Sequence, residues 1–174
     1  MRNLAIVALA LLTAACGFQL RGHAKLPFET LHVAIPGISP LGTELKRNIA
    51  AGTSTRLVSE PAQAQAILAL VSENREKTIL SFDSSGRVLE LQLHYRLKFR
   101  VHDARGRDYL PPSEIRLTRD IAFSDAQLLS KESEEQLLYR DMQSDMVHQI
   151  LYRLADAPAE PIAFETGAKD ATAR

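Results

Sequence analysis

The chain has 174 residues, of which 21 are basic and 21 acidic, so its formal net charge at neutral pH is zero. Proteins that bind nucleic acid usually carry a clear basic excess, and this balance argues against that class. The single cysteine excludes an internal disulfide. The length is that of one domain, and no internal repeat is visible.

The first residues have the features of a signal peptide. A positive charge at Arg2 precedes an apolar run over residues 4–12, and small residues lead up to Cys16. The run is too short for a membrane-spanning helix, which needs about 20 apolar residues. The segment LTAAC, which ends at Cys16, resembles the lipobox of bacterial lipoproteins, in which the cysteine is acylated and begins the mature protein. By the same resemblance, Gly17 in place of aspartate implies sorting to the outer membrane.

A strand followed by a helix is predicted at the start of the folded part. Residues 31–35 form a short apolar run, closed by a Pro-Gly turn. Ser39 then provides a helix N-cap, with Pro40 in the first helical position, where its missing N–H costs nothing. The helix is expected to end near Gly52, and its apolar stripe has members four residues apart, namely Leu41, Leu45 and Ile49.

The middle of the chain predicts an antiparallel meander of long strands. Residues 66–82 are expected to be extended, and turn residues follow at 83–86. Apolar and polar residues then alternate without a break over 89–102, which predicts a strand of about 45 Å with one buried face. A turn at 103–108 leads to a third long strand, whose period-two pattern runs to Phe123.

A long amphipathic helix is predicted near the C-terminus. Ser130 and Ser133 stand where an N-cap is expected, and Ser133 with Gln136 has the spacing of a capping box. The helix should end near Asp156 and pack by a stripe of residues four apart, namely Leu138, Met142, Met146, Ile150 and Leu154. The order of elements predicts an α+β two-layer sandwich, in which a mainly antiparallel four-stranded sheet carries both helices on one face.

These segments divide the chain into four parts. Residues 1–15 are the expected signal peptide, and residues 16–30 an anchor and linker. The single α+β domain is expected to span residues 31–156. The remaining residues, 157–174, are rich in alanine, proline and charge without a period, and we expect them to form a disordered tail.

The sequence offers no recognisable catalytic set. It has no glycine-rich phosphate loop, no nucleophile elbow and no H-E-x-x-H motif. His94 and His102 share a strand face but are eight residues apart, too far to bind one metal together. We therefore expect neither an enzyme nor a cofactor or metal site.

The polar face of the central strand carries a run of cations. Arg96, Lys98 and Arg100 alternate along it with no acidic residue among them, and Arg105 and Arg107 follow in the next turn. One reading is an ordinary solvated sheet face. The other is that this face contacts a partner, because only one face of the sheet is covered by helices.

Two short motifs and the order of the elements resemble the LptE family, the small lipoproteins of the outer-membrane lipopolysaccharide translocon. The segment CGFQLRG, which starts at Cys16, resembles the family's mature N-terminus. The second motif is the run into the last helix, carried by Leu128, Leu129, Lys131, Glu135 and Met142.

The resemblance implies a lipid-anchored, non-enzymatic protein that plugs the β-barrel partner LptD and helps lipopolysaccharide reach the outer leaflet. It implies that Lys131, which matches a lysine of the family, contacts lipopolysaccharide, together with Arg87 in the turn after Gly86. Both cations are expected at the ends of elements.

Other lipoprotein classes remain open on the residues alone. An accessory lipoprotein of the barrel-insertion machinery would share the anchor, the size and a barrel partner. A periplasm-facing lipid carrier would need a deep apolar pocket, against which the polar strand face argues. A lipid-anchored cell-wall hydrolase would need a positioned acidic pair or metal ligands, and the sequence shows neither.

Overall fold

The computed structural model describes residues 25–123 and 128–162, which contain five strands and two α-helices. In chain order they are β1 (Thr30–Ala34), α1 (Pro40–Gly52), β2 (Arg56–Leu57), a 3-10 turn (Pro61–Gln63), β3 (Ala66–Phe82), β4 (Val88–His102), β5 (Asp108–Ala122) and α2 (Leu128–Ala155). The predicted order of strand, helix, three long strands and helix is confirmed. The expected signal peptide, Cys16 and residues 163–174 lie outside the described residues.

The sheet has the strand order β2-β1-β3-β4-β5 and is mixed. β3, β4 and β5 form the predicted antiparallel meander. The prediction of four strands in a mainly antiparallel sheet is wrong in two respects, since β2 adds a fifth strand and β1 pairs in parallel with both β2 and β3. The parallel pairing follows from α1, which carries the chain back over the sheet between β1 and β3 as a crossover connection.

α1 begins and ends where its sequence predicts. The Ser39 hydroxyl accepts a hydrogen bond from the Gly42 N–H at 3.2 Å, and Pro40 occupies the first helical position. The helix ends at Gly52, and its predicted apolar stripe of Leu41, Leu45 and Ile49 is fully buried. This stripe packs into the same core as β1 and α2.

The side chains of β4 alternate between the core and the opposite face, which we call the open face. Leu93, Tyr95, Leu97, Phe99 and Val101 are at most 1% exposed, as the alternation predicts. The core does not reach the start of the strand, because Leu89 is 48% exposed. The buried stripe of α2 is similarly shorter than predicted, since it consists of Met142, Met146, Val147, Ile150 and Leu154, while Leu138 is only partly buried.

β3 changes its pattern at an irregularity in its pairing with β4. The register shifts between Leu70 and Ser72, so that Glu73, Arg75 and Lys77 lie opposite buried residues of β4 and share their face of the sheet. The pairing of β3 with β1 ends at Ala69. Within the described residues, the outer edge of β3 beyond Ala69 has no strand partner.

The start of α2 differs from that expected, whereas its end at Ala155 is as predicted, and contacts with the fold continue beyond residues 31–156. Ser130 and Ser133 lie inside α2 and do not cap it, because the helix begins at Leu128. Serine costs only about half a kcal/mol in a helix, so its presence does not fix a boundary. The folded domain also extends beyond residues 31–156, since Leu26 is buried and the Ile162 N–H donates to the Asp108 carbonyl at 2.7 Å.

Candidate functional site

The turn between β3 and β4 is held by its own side chains. The Asp83 carboxylate accepts hydrogen bonds from the N–H groups of Ser85 and Arg87, and the Arg87 guanidinium forms an ion pair with Asp83 at 3.0 Å. Hydrogen bonds from the Ser85 hydroxyl and the Arg87 N–H hold the pKa of Asp83 well below its usual range. Gly86 has a backbone φ of 80°, a conformation that residues other than glycine rarely adopt.

The turn between β4 and β5 repeats this arrangement at the other end of β4. The Asp103 carboxylate accepts from the N–H groups of Arg105 and Arg107, and Arg107 pairs with Asp103 at 2.8 Å. Gly106 also has φ of 80°. The two turns share the pattern D-x-x-G-R, as DSSGR and DARGR in the sequence. Arg87 therefore has a structural counterpart in Arg107, and part of its role is to close its own turn.

Arg87 also remains accessible to solvent. Its side chain is 71% exposed while paired with Asp83, so much of the guanidinium is open to a ligand. The Arg107 side chain is 56% exposed in the equivalent position.

Lys131 lies in the first turn of α2, as expected for a cation at the end of an element. Its ammonium forms an ion pair with Glu134 at 2.8 Å, and the side chain is 18% exposed. One turn further along α2, Glu135 pairs with Lys77 of β3 at 3.0 Å. The start of α2 is thus tied to the outer half of β3 by charged contacts.

The topology places Arg87 and Lys131 at the same end of the molecule, which we call the distal end. β5 returns to this end, where the Phe123 N–H donates to the Leu89 carbonyl at 2.8 Å, and α2 begins five residues later at Leu128. Four large apolar side chains here are about half exposed or more, namely Ile79, Leu80, Phe82 and Leu89. The distal end therefore presents cations beside apolar surface.

The other three cations singled out in the sequence lie on the open face, away from α2. Arg96 pairs with Glu76 of β3. Arg100 pairs with Asp108 at 2.6 Å and donates to the Gly106 carbonyl at 3.1 Å. The structure does not join these cations to Arg87 and Lys131 in one site, since Lys131 lies on α2 and Arg87 lies in the turn that precedes β4.

Lys98 stands between these two ion pairs and is exposed. Its cross-strand neighbours are Ser72 and Glu114. A hydrogen bond from Arg116, together with the charges of Arg116, Arg96 and Lys98, lowers the pKa of Glu114. The run that is purely cationic along β4 is therefore largely balanced by acidic residues of adjacent strands.

A polar network under α2 was not predicted from the sequence. The Arg75 guanidinium lies 4.5 Å from the ring centroid of Tyr95 and donates to the Tyr95 and Gln143 side-chain oxygens, each at 3.1 Å. The Tyr95 hydroxyl donates to Glu73 at 2.7 Å, and Gln143 donates to Glu44 of α1 at 2.7 Å. Burial of the ring, with the hydrogen bond to Glu73, raises the pKa of Tyr95. The network joins both helices to β3 and β4.

The network has no signal in the sequence, because Arg75 reaches this face only through the register shift after Leu70. The paired turns did have a signal, since the D-x-x-G-R pattern occurs twice.

Over residues 25–123 and 128–162, no group of histidine, cysteine and carboxylate side chains has the arrangement of a metal site. None of the helices in these ranges is long and apolar enough to cross a membrane.

The sequence is similar to those of known proteins over most of its length. A model of the LptE (lipopolysaccharide-assembly) family matches residues 28–154. The LPS-assembly lipoprotein LptE of Photorhabdus laumondii is 24% identical over 147 residues, which cover 83% of this chain and 79% of that protein. The protein of the same name from Yersinia enterocolitica is 24% identical over 151 residues, covering 83% and 70%.

Solved structures are similar over most of the chain. Lipoprotein B of Nitrosomonas europaea matches with a TM-score of 0.69 and 43% identity, over 80% of this chain and 90% of that one. Rare lipoprotein B of Shewanella oneidensis matches with a TM-score of 0.64 over 73% and 94%, and at 23% identity this likeness shows the fold alone. Since the family model covers most of the sequence, the resemblance seen in its motifs is confirmed, and the chain belongs to the LptE family of lipopolysaccharide-assembly lipoproteins.

Proposed function

We propose that this protein is a non-enzymatic lipoprotein of the outer membrane, anchored by lipid on Cys16, which supports LptD in lipopolysaccharide assembly. The observation that carries the proposal is the distal end, where Arg87 and Lys131 lie beside exposed apolar side chains in a chain of the LptE family. A lipid dense in phosphate needs fixed cations for its headgroup and apolar surface for its acyl chains.

The two cations have different geometries for this task. The Arg87 guanidinium is planar and mostly exposed, so it can bind phosphate through two hydrogen bonds while still paired with Asp83. Lys131 is more enclosed and acts as a point charge, held by Glu134 at the helix start.

The polarity of the open face supports a position of the protein inside the barrel of LptD. Large outer-membrane barrels have polar interiors, which proteins can plug. The open face of β3, β4 and β5 is polar, and several of its charges already have partners, such as Arg96 with Glu76 and Arg100 with Asp108. Such a face can be enclosed without leaving many isolated charges, and Arg96, Lys98 and Arg100 are its proposed contacts with the partner.

The proposal is tested by charge reversal at the distal end with matched controls. We expect Lys131→Glu and Arg87→Glu each to weaken lipopolysaccharide binding by the purified protein several-fold. Arg107→Glu is the control for Arg87→Glu, because it breaks the same ion pair in the equivalent turn at the opposite end of β4. Arg140→Glu makes the same charge change as Lys131→Glu on an exposed part of the same helix.

The measurements are lipopolysaccharide affinity, thermal stability and co-purification with LptD. The two turn variants should lose similar stability, and only Arg87→Glu should lose affinity. An equal loss of affinity in Arg107→Glu would assign the effect to net charge or to the turn, and it would refute the proposed site. Recovery of the protein in a complex of several lipoproteins, without LptD, would favour the barrel-insertion machinery instead.

A further inference from the structure

A concave surface lies at the opposite end of α2 from Lys131. It is a groove of about 670 Å³ between the C-terminal parts of the two helices. Its lining contains the charged side chain of Arg153 and otherwise combines apolar residues such as Leu26, Leu151 and Tyr152 with polar ones such as Asn48, Thr53 and Gln149. Tyr152 is 77% exposed, so its aromatic ring presents apolar surface to solvent at the groove.

The N-terminal part of the described chain forms one wall of this groove. Phe28 is buried, with its ring edge-on to Tyr109 at 4.9 Å, and its carbonyl accepts from the Thr55 hydroxyl at 2.8 Å. Two residues earlier, Leu26 is 5% exposed and lines the groove. The path of the chain is therefore fixed as far as the groove wall, and the preceding residues start from there.

Those preceding residues have a suitable pattern for the groove. Residues 17–24 read GFQLRGHA, in which Phe18 and Leu20 are separated by one residue and so share a face when the chain is extended. Leu20 is six residues before Leu26 and can lie at most about 20 Å from it. Asn48, Thr53 and Gln149 supply side chains that can hydrogen-bond to the backbone of an extended segment.

We propose that residues 17–24 of the same chain occupy this groove, with Phe18 and Leu20 as their apolar contacts. The segment then covers Leu26, Leu151 and Tyr152. Docking would also fix the position of Cys16, which directly precedes the segment, at the C-terminal end of α2. Since α2 has 28 residues and is about 42 Å long, Cys16 and the distal end would be held far apart.

The chain contains no tryptophan, so a single introduced tryptophan can report on the segment. The test uses the chain from residue 16 onward with Cys16→Ser and Phe18→Trp. We expect emission at shorter wavelength and weaker quenching by acrylamide than for Ile38→Trp in the same chain. Ile38 is 96% exposed and serves as the solvent-exposed standard.

Filling the groove should release the segment. A Cβ at Gly52 would meet no atom within 4 Å, so Gly52→Leu places a side chain in the open space of the groove without a clash. We expect this variant to shift the Phe18→Trp emission to that of the exposed standard. Gly37→Leu is the matched control, because a Cβ there also meets nothing within 4 Å and Gly37 does not line the groove.

Each outcome decides the proposal. Exposed-type emission from Phe18→Trp in the otherwise unchanged chain would overturn it, and so would burial that persists in Gly52→Leu. If Gly52→Leu does not fold, Gln149→Arg on the exposed groove wall is the second blocking variant. Emission that shifts to shorter wavelength only as protein concentration rises would assign the contact to a second copy and would also overturn the proposal.

Discussion

Leu93 and Gln92 are neighbours on β4 that face opposite sides of the sheet. Leu93 is fully buried, whereas Gln92 lies on the open face and donates to Asp120 at 2.8 Å. Truncation of a buried leucine removes apolar contacts and leaves a cavity, at a cost of about 2 to 5 kcal/mol. We expect Leu93→Ala to lower the free energy of unfolding by this amount, as measured by urea denaturation.

Gln92→Ala is the control for this prediction. It removes one exposed hydrogen bond and should change the free energy of unfolding by less than about 1 kcal/mol. Similar losses in both variants would contradict the assignment of the two faces. The prediction follows from sequence alternation alone, since the partners of a strand need not be known to assign its faces.

Other residues could not be placed from the sequence. The environment of Arg75 depends on the register shift after Leu70, and the ion pairs of Arg96 and Arg100 depend on which strands lie beside β4. Register and strand order are set by tertiary contacts, which the residue pattern of one strand does not encode. The sequence therefore identified the cations of β4 but not the acidic residues that balance them.

At the level of elements, the two D-x-x-G-R turns connect stability to pH. Burial opposes ionisation of Asp103, but hydrogen bonds from the backbone and side chain of Arg107 and the backbone of Arg105 outweigh it, so its pKa is lowered. A carboxyl whose pKa is lower in the folded chain stabilises the fold above its unfolded pKa of about 4. That stabilisation is lost as the pH falls through the folded pKa.

Asp103→Asn should cause, at neutral pH, the same loss of stability that protonation of Asp103 causes at low pH. We expect the variant to be less stable than the unchanged protein at pH 7, with the difference in melting temperature shrinking as the pH is lowered below about 4. Thermal unfolding of both proteins across this range checks the prediction. A difference that stays constant with pH would show that the ionised carboxylate does not stabilise the turn.

The elements themselves differ in how far the sequence predicts them. α1 carries a capping serine, a proline and a regular stripe, and both of its ends are where these signals put them. α2 begins before Ser130 and Ser133, because serine residues occur within helices as well as at their caps. β2 has two residues, too few for any pattern, so the expected sheet had four strands. The parallel pairing of β1 also has no signal in its own residues.

At the level of the whole molecule, attachment to a membrane is expected to depend on one atom, the sulfur of Cys16. Cys16 is the only cysteine of the chain, so its thiol is the only one available for acylation. We expect labelled palmitate to be incorporated during growth, and Cys16→Ser to abolish the label. Label that persists after this substitution would contradict the anchor. The described residues 25–123 and 128–162 form a buried core of their own, which runs from Leu26 to Ala157, so the variant should still fold.

The outer edge of β3 beyond Ala69 has a consequence for the behaviour of the protein in concentrated solution. An open sheet edge is a template on which another chain can add a strand and begin a polymer. Here α2 lies against that edge, where the Tyr139 hydroxyl donates to the Glu76 carbonyl at 2.9 Å and Glu135 holds Lys77. A strand approaching this part of the edge finds a backbone acceptor already used and a charged side chain in its way. These contacts of the helix thus oppose the addition of a strand at this part of the edge.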